Sequence, residues 1–206
     1  MPREIIAILR GVQPDDVLAI GEALIECGIS TIEVPLTSPK AFESIALLAI
    51  KFADQAQIGA GTVLSVADVY RVADAGGTLI VSPDTFSDVI KATKMLGLAS
   101  YPGVLTPTEC FTALRNGADG LKIFPAHLVG AKGLKALSTV LLKGTKTYAV
   151  GGVGPNNFQE WLEAGVTGFG IGSSLYQAGM SVQEVTQKAT SIVIAYDRAL
   201  EILNSR

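Results

Sequence analysis

The chain alternates eight times between a short apolar segment and a longer segment with helical periodicity. Several of the longer segments end at a glycine, as at Gly28, Gly97 and Gly165, and the next apolar segment follows at once. Helices that end at glycine and lead into strands are typical of βα units around a parallel sheet. The predicted strands are residues 5–10, 30–36, 57–63, 79–83, 98–104, 120–126, 147–153 and 168–173. The predicted helices include residues 15–27, 39–53, 66–75, 86–96, 107–116, 155–164 and a final one over about 181–204.

Eight strands within 206 residues predict the α/β fold class and, within it, a compact (β/α)8 TIM barrel. A doubly wound sheet fits less well, since it needs a point at which the strand order reverses. The sequence shows no linker and no low-complexity segment, so we expect a single barrel domain over residues 1–206. Alternation along 57–63 points Ile58, Ala60 and Thr62 into the barrel.

Composition narrows the classes of protein that this barrel could represent. Apolar residues make up 49% and charged residues 17%, which indicates a large packed core. A net charge of -3 argues against nucleic acid or anionic membrane as a partner. The chain has no signal-peptide layout and no apolar run long enough to cross a bilayer, so we expect a cytoplasmic protein. One histidine and two distant cysteines predict free thiols, no metal site and no cofactor.

Three charged residues lie within the predicted strands: Arg10, Glu33 and Lys122. Strand alternation points all three into the barrel, and Glu33 and Lys122 come from strands that face each other across the lumen. Burial lowers the pKa of a lysine, and a neutral lysine amine attacks carbonyl groups. Two interpretations remain open: a structural ion pair, or a lysine nucleophile beside a glutamate that shuttles protons.

Glycines cluster where the last two strands end, at Gly151-Gly152 and at Gly172-Ser173. Glycine lets backbone amides approach an anion closely, and barrels often bind phosphate after these two strands. We therefore expect a small phosphorylated substrate, held with the help of a short helix after Ser173. His127 follows the lysine strand and is interpreted as an ordinary polar loop residue.

Taken together, these segments resemble the family of short-chain 2-keto-3-deoxy-6-phosphogluconate and -galactonate aldolases along nearly the whole chain. The resemblance implies a metal-free Schiff-base aldolase on a (β/α)8 barrel, typically a homotrimer. The matching segments are Ala7-Ile-Leu-Arg-Gly11, Glu33-Val-Pro-Leu36, Gly59-Ala-Gly-Thr-Val63, Pro102-Gly103, Lys122-Ile-Phe-Pro125, Gly151-Gly152-Val153 and Gly172-Ser173.

The resemblance also implies a role for each matched residue. Lys122 forms the imine with the keto carbon, and Glu33 shuttles protons. Around them, Arg10 contacts the substrate, Thr62 holds its carboxylate, Phe124 and Pro83 shape the pocket, and Gly151, Gly152, Gly172 and Ser173 bind phosphate.

Two positions favour the galactonate branch of that family. Gluconate-type members usually carry an arginine where this chain has Thr37, and a threonine where it has Val150. Valine cannot donate the hydrogen bond that a threonine offers to a hydroxyl, and the two sugar acids are epimers at one hydroxyl. The implied reaction is reversible cleavage of the phosphogalactonate derivative to pyruvate and glyceraldehyde 3-phosphate.

Three other interpretations are separable by experiment. The enzyme could prefer the gluconate epimer or use both, which kinetics on the two epimers would separate. A non-catalytic phosphosugar-binding barrel would bind ligand without turnover. A metal-dependent aldolase would be inhibited by a chelator.

Overall fold

The computed structural model describes residues 3–205 and shows parallel strands ringed by helices. The strands are β1 (Ile5–Ile8), β2 (Thr31–Pro35), β3 (Gln57–Gly61), β4 (Leu79–Val81), β5 (Ala99–Tyr101), β6 (Gly103–Val104), β7 (Leu121–Ile123), β8 (Thr147–Val150) and β9 (Gly168–Ile171). The helices are α1 (Pro14–Glu26), α2 (Ala41–Phe52), α3 (Val66–Asp74), α4 (Ser87–Met95), α5 (Pro107–Arg115), α6 (Ala126–Ser138), α7 (Phe158–Glu163) and α8 (Val182–Asn204).

The sheet closes into a barrel through β5 and β6, which together correspond to the predicted strand 98–104. The hydrogen-bonded order is β5-β4-β3-β2-β1-β9-β8-β7-β6, so these two short strands are its ends. Only Pro102 separates them, and its ring nitrogen cannot donate to a neighbouring strand. Its carbonyl accepts from the Lys122 amide at 2.9 Å, so the residue between the two short strands bonds to β7. The (β/α)8 prediction is confirmed.

The predicted helices are present within a few residues, and one further helix, α6, follows β7. The helical pattern does not predict α6, because Gly130 and Gly133 interrupt its apolar periodicity. Gly130 has a φ of 67° and breaks the helix locally. None of the helices in the described part of the chain is both long and apolar enough to span a membrane.

One prediction about side-chain direction is wrong. Ile58 and Ala60 do not point into the lumen, since they pair in register with Ile32 and Val34 and pack with them in the core under the helices. Register partners in a parallel sheet share a face, so the inward positions of β3 are Gly59 and its neighbour two residues on, Gly61. Strand β3 therefore places no side chain of its own inside the barrel at these two positions, and neighbouring residues occupy the space beside them.

Two tyrosine rings fill the lumen toward the N-terminal ends of the strands. The rings of Tyr101 and Tyr148 meet edge to face at 5.0 Å, and a side chain on Gly120 would collide with both. The Tyr148 hydroxyl donates to Glu4 at 2.7 Å. Because Gly120 precedes Lys122 by two residues, these rings form the floor beneath Lys122.

Candidate active site

Lys122 is buried in the middle of β7, as predicted. Its neighbours Leu121 and Ile123 pack outward in the core, and only 7% of Lys122 is exposed. Burial lowers the pKa of the Lys122 ammonium, while the charge of Glu33 partly opposes that shift. Its Nζ lies 4.6 Å from the centroid of the Phe124 ring. An amine in this setting has a larger neutral fraction than an exposed lysine, as nucleophilic attack requires.

Glu33 lies inside the barrel on β2 and is 2% exposed. Burial raises the pKa of its carboxyl to about 7, and the charges of Lys122 and Arg10 act in the opposite direction. Its Oε2 has no hydrogen-bond partner within the described residues. A carboxyl with a pKa near neutrality can both donate and accept a proton, as a shuttle must.

Glu33 and Lys122 influence each other electrostatically but do not form a direct ion pair. Within residues 3–205, no nitrogen–oxygen contact of 4.0 Å or less joins them. A structural ion pair needs close contact to offset the desolvation of both charges. The geometry therefore favours two separate ionisable groups over the purely structural interpretation.

Arg10 lies at the mouth of the barrel rather than within a strand. Strand β1 ends at Ile8, and Arg10 is exposed in the turn that follows, contrary to its predicted place inside the strand. Side chains alternate between the two faces of a sheet only within a strand, and Arg10 lies beyond the end of β1, which explains the difference. Its Nη1 donates to the Thr37 hydroxyl at 3.2 Å. The guanidinium thus lies where a substrate entering the barrel could meet it.

A cavity of about 440 Å³ opens at the C-terminal ends of the strands. It is in the size range of small-molecule sites. Its wall contains seven of the eleven predicted site residues: Arg10, Phe124, Val150, Gly151, Gly152, Gly172 and Ser173. Lys122 and Glu33 lie deeper in the lumen, and Phe124 connects Lys122 to the cavity.

Thr62 and Pro83, the other two predicted residues, lie at strand ends outside this wall. Thr62 directly follows β3 and has a φ of 57°, a left-handed backbone that a threonine rarely adopts. Such strain is concentrated at functional sites. The Pro83 carbonyl lies against Gly103, where any side chain would overlap it.

The two glycine loops differ in structure. Gly151 and Gly152 have φ values of 93° and 79°, which only glycine adopts easily. The Gly151 carbonyl accepts from the His127 amide at 3.1 Å, and the Gly152 carbonyl accepts from Asn157 at 3.0 Å. These bonds fix the loop at the rim of the cavity, where its amides could meet an anion.

The loop after β9 contains a single turn instead of the predicted short helix. The Gly172 carbonyl accepts from the amides of Leu175 and Tyr176 at 2.8 and 2.9 Å, and the chain then leaves the helical path. Four residues in or just after this turn also line the cavity and were not predicted: Ser174, Tyr176, Gln177 and Ala178. Their position one turn beyond the glycine motif was the only signal in the sequence that could have found them.

Comparison with known proteins gives a consistent result. A family model described as "KDPG and KHG aldolase" matches residues 2–192. The chain is 46% identical to a "Probable 2-dehydro-3-deoxy-6-phosphogalactonate aldolase" of Rhizobium meliloti (strain 1021), over 96% of this chain and 93% of that protein. It is 45% identical to the "2-dehydro-3-deoxy-6-phosphogalactonate aldolase" of Escherichia coli (strain K12), over 96% of each chain.

Solved structures agree with these relatives. One described as "Native KDPGal structure" superposes with a TM-score of 0.96 at 44% identity and covers 98% of both chains. A designed cage built "by fusing symmetric oligomeric domains" superposes at 0.98 with 43% identity, over 100% of this chain and 76% of that one. The protein belongs to the KDPG and KHG aldolase family.

Proposed function

We propose that the protein is a Schiff-base aldolase that cleaves 2-dehydro-3-deoxy-6-phosphogalactonate to pyruvate and D-glyceraldehyde 3-phosphate. The observation that carries this proposal is the buried Lys122, whose pKa is lowered by burial and which has no direct ion-pair partner within the described residues. Relatives at 45% and 46% identity bear the name of this galactonate aldolase. Lys122 is the nucleophile of the reaction, and Glu33 is its proton shuttle.

The first stage forms the imine. The neutral amine of Lys122 attacks the C2 ketone, a nitrogen–carbon bond forms, and the carbonyl oxygen becomes a hydroxyl. The protonated Glu33 carboxyl gives its proton to that hydroxyl, which leaves as water, and an iminium ion remains. A pKa of about 7 suits Glu33 to this step, since proton transfer is efficient when the pKa is near the working pH.

The second stage breaks the carbon–carbon bond. The C4 hydroxyl proton passes to the Glu33 carboxylate that the first stage left behind, directly or through a base and water, the C3–C4 electron pair moves to the iminium, and glyceraldehyde 3-phosphate departs. The product on Lys122 is an enamine. Glu33 protonates its C3 carbon, water adds back to the resulting iminium, and pyruvate leaves with Lys122 restored.

The rest of the cavity positions the two ends of the substrate. We assign the phosphate to the loops of Gly151-Gly152 and Gly172-Ser173, whose backbone groups lie at the cavity rim. Thr62 and Arg10 hold the carboxylate and neighbouring oxygens, with Arg10 oriented by its bond to Thr37. Phe124 and Pro83 shape the pocket around the imine.

Val150 is the residue that we assign to epimer preference. It lines the cavity beside the phosphate loop and offers no hydrogen-bond donor. A site without a donor cannot stabilise the hydroxyl that a threonine would bind, which favours the galactonate epimer.

Steady-state kinetics on both purified epimers test this proposal. We expect kcat/KM to be at least about 10-fold higher on the galactonate epimer, and Val150→Thr to reduce that ratio by about 10-fold. Lys122→Met should abolish cleavage of both, whereas the matched control Lys146→Met, in an exposed position, should leave it intact.

Each rival predicts a different result. Preference for the gluconate epimer, or equal use of both, would replace the galactonate assignment. Ligand binding without turnover in the parent protein would support the sensor interpretation. Loss of activity with a chelator would indicate metal-dependent cleavage.

We also propose that the chain forms a homotrimer in the cytoplasm, with residues 1–206 as one domain. Exposed apolar side chains follow neighbouring strands around one side of the barrel mouth: Leu64 after β3, Phe86 after β4, Leu105 after β6 and Leu128 after β7. Such a patch is typical of a surface that contacts a partner. We assign a second copy of this chain to the patch. The similar chain of the designed cage supports this choice, because that cage was built by fusing symmetric oligomeric domains.

A further inference from the structure

Gly61 faces the carboxyl group of Glu33 across two adjacent strands. It ends β3, pairs in register with Pro35, and its carbonyl accepts from the Leu36 amide at 2.8 Å. A Cβ atom added at Gly61 would overlap Cδ and both carboxyl oxygens of Glu33. The absent side chain therefore provides the space in which this carboxyl group lies.

The backbone does not require glycine at this position. Gly61 is not among the glycines with left-handed φ angles, so an alanine could adopt its conformation without strain. The three atoms nearest to a Cβ atom there all belong to the movable end of the Glu33 side chain. Gly59 differs, because a Cβ atom there would overlap the backbone carbonyl of Leu79 in the neighbouring strand. The lack of a side chain at Gly59 lets the neighbouring strand approach, whereas the lack of one at Gly61 makes room for the Glu33 carboxyl.

Hydrogen bonding does not explain the position of this carboxyl group. Glu33 Oε2 is buried and has no hydrogen-bond partner within the described residues. A buried polar atom without a partner is costly and calls for an explanation. Packing against Gly61 confines Glu33 and leaves Oε2 free to exchange a proton.

We propose that Gly61 is a positioning residue for the reaction, and that the space at its Cα holds the Glu33 carboxyl where it can shuttle protons for Lys122. This inference rests on the proposed function, since it assigns Gly61 through the role of Glu33. Gly61 supplies no reacting group of its own and acts through Glu33.

The test compares Gly61→Ala with the parent protein. We expect kcat to fall about 100-fold, because a displacement of about 1 Å of a catalytic group has effects of this size. KM should change by less than about twofold, since the cavity wall that binds substrate is intact. The limb of the pH–rate profile near 7 should also move, because the carboxyl leaves its buried position.

A double-mutant cycle with Glu33→Ala separates positioning from general damage. In the Glu33→Ala background the space is empty, so adding Gly61→Ala should change the residual rate by less than about twofold. Melting temperatures provide a second cycle: any destabilisation caused by Gly61→Ala should disappear when Glu33 is truncated. This second cycle remains informative even if the single variant folds poorly.

Gly59→Ala is the matched control. It should lower the melting temperature with or without the Glu33 side chain, because its clash is with backbone. In the Gly59→Ala enzyme that remains folded, the limb of the pH–rate profile near 7 should stay where it is in the parent.

The possible failures are distinguishable. If Glu33→Ala keeps the parent rate, the proposed proton shuttle is wrong. If Glu33→Ala is impaired while Gly61→Ala keeps the parent rate and pH profile, the shuttle stands and the positioning role of Gly61 is overturned. Equal effects of Gly61→Ala in both backgrounds would also overturn it.

Discussion

At the scale of single residues, burial acts on two side chains in opposite directions. It raises the pKa of the Glu33 carboxyl and lowers that of the Lys122 ammonium, since both shifts favour the neutral form. Each group thereby approaches the pH range in which it can exchange a proton. The same burial makes both groups costly to the folded state when they are charged.

Because the Glu33 carboxyl is buried, the free energy of unfolding should depend on pH. Its pKa rises from 4.5 to about 7 on folding, so the folded protein binds this proton more tightly than the unfolded chain. The stability from that proton is fully present below the unfolded pKa and is lost as pH rises through the folded one. The Gln side chain in Glu33→Gln cannot ionise. As pH rises through this range, the free energy of unfolding of the variant should therefore increase relative to that of the parent by about 3 kcal/mol.

Chemical denaturation of both proteins at several pH values measures this difference. Glu22→Gln, which removes an exposed carboxylate on α1, is the control and should show no comparable gain. A stability difference between Glu33→Gln and parent that is constant with pH would contradict the buried, titrating carboxyl.

At the scale of elements, the glycine-terminated helices and apolar strands predicted the architecture because each follows from local sequence. The side-chain direction in β3 could not be predicted in the same way. Glycines at 59 and 61 carry no hydrophobic signal, so either face of this strand could have been the inward one. Only pairing with β2 fixes it, and register depends on residues distant in the chain.

The candidate site was predictable to the extent that strand alternation controls it. Lys122 and Glu33 lie within regular strands, and the structure has them buried inside as expected. Arg10 lies beyond the end of its strand, where alternation no longer applies. Tyr176 and Gln177 belong to an irregular turn, whose path depends on tertiary contacts rather than on a repeating pattern.

At the scale of the whole molecule, barrel closure brings together residues that are far apart in the sequence. Glu33 and Lys122 are separated along the chain, yet each alters the pKa of the other within the lumen. The mouth of the barrel lies over them, and the apolar patch of Leu64, Phe86, Leu105 and Leu128 borders one side of it.

Light scattering tests the trimer directly. We expect a mass of three chains of 21.4 kDa each, because the apolar patch at the mouth is best covered by copies of the chain. Phe86→Asp and Leu128→Asp together should reduce the mass toward one chain, since burying two carboxylates in the contact is costly. Ile50→Asp, on an exposed face of α2, should leave the trimer intact. A monomeric parent would contradict the assembly.

Trapping of the covalent intermediate tests the Schiff-base mechanism most directly. The protein is incubated with pyruvate and borohydride, which reduces an imine to a stable amine, and its peptides are analysed by mass spectrometry. We predict inactivation together with one reduced pyruvate adduct on Lys122, and neither adduct nor activity in Lys122→Met. An active enzyme that carries no adduct, or that carries it on a different lysine, would contradict the role of Lys122.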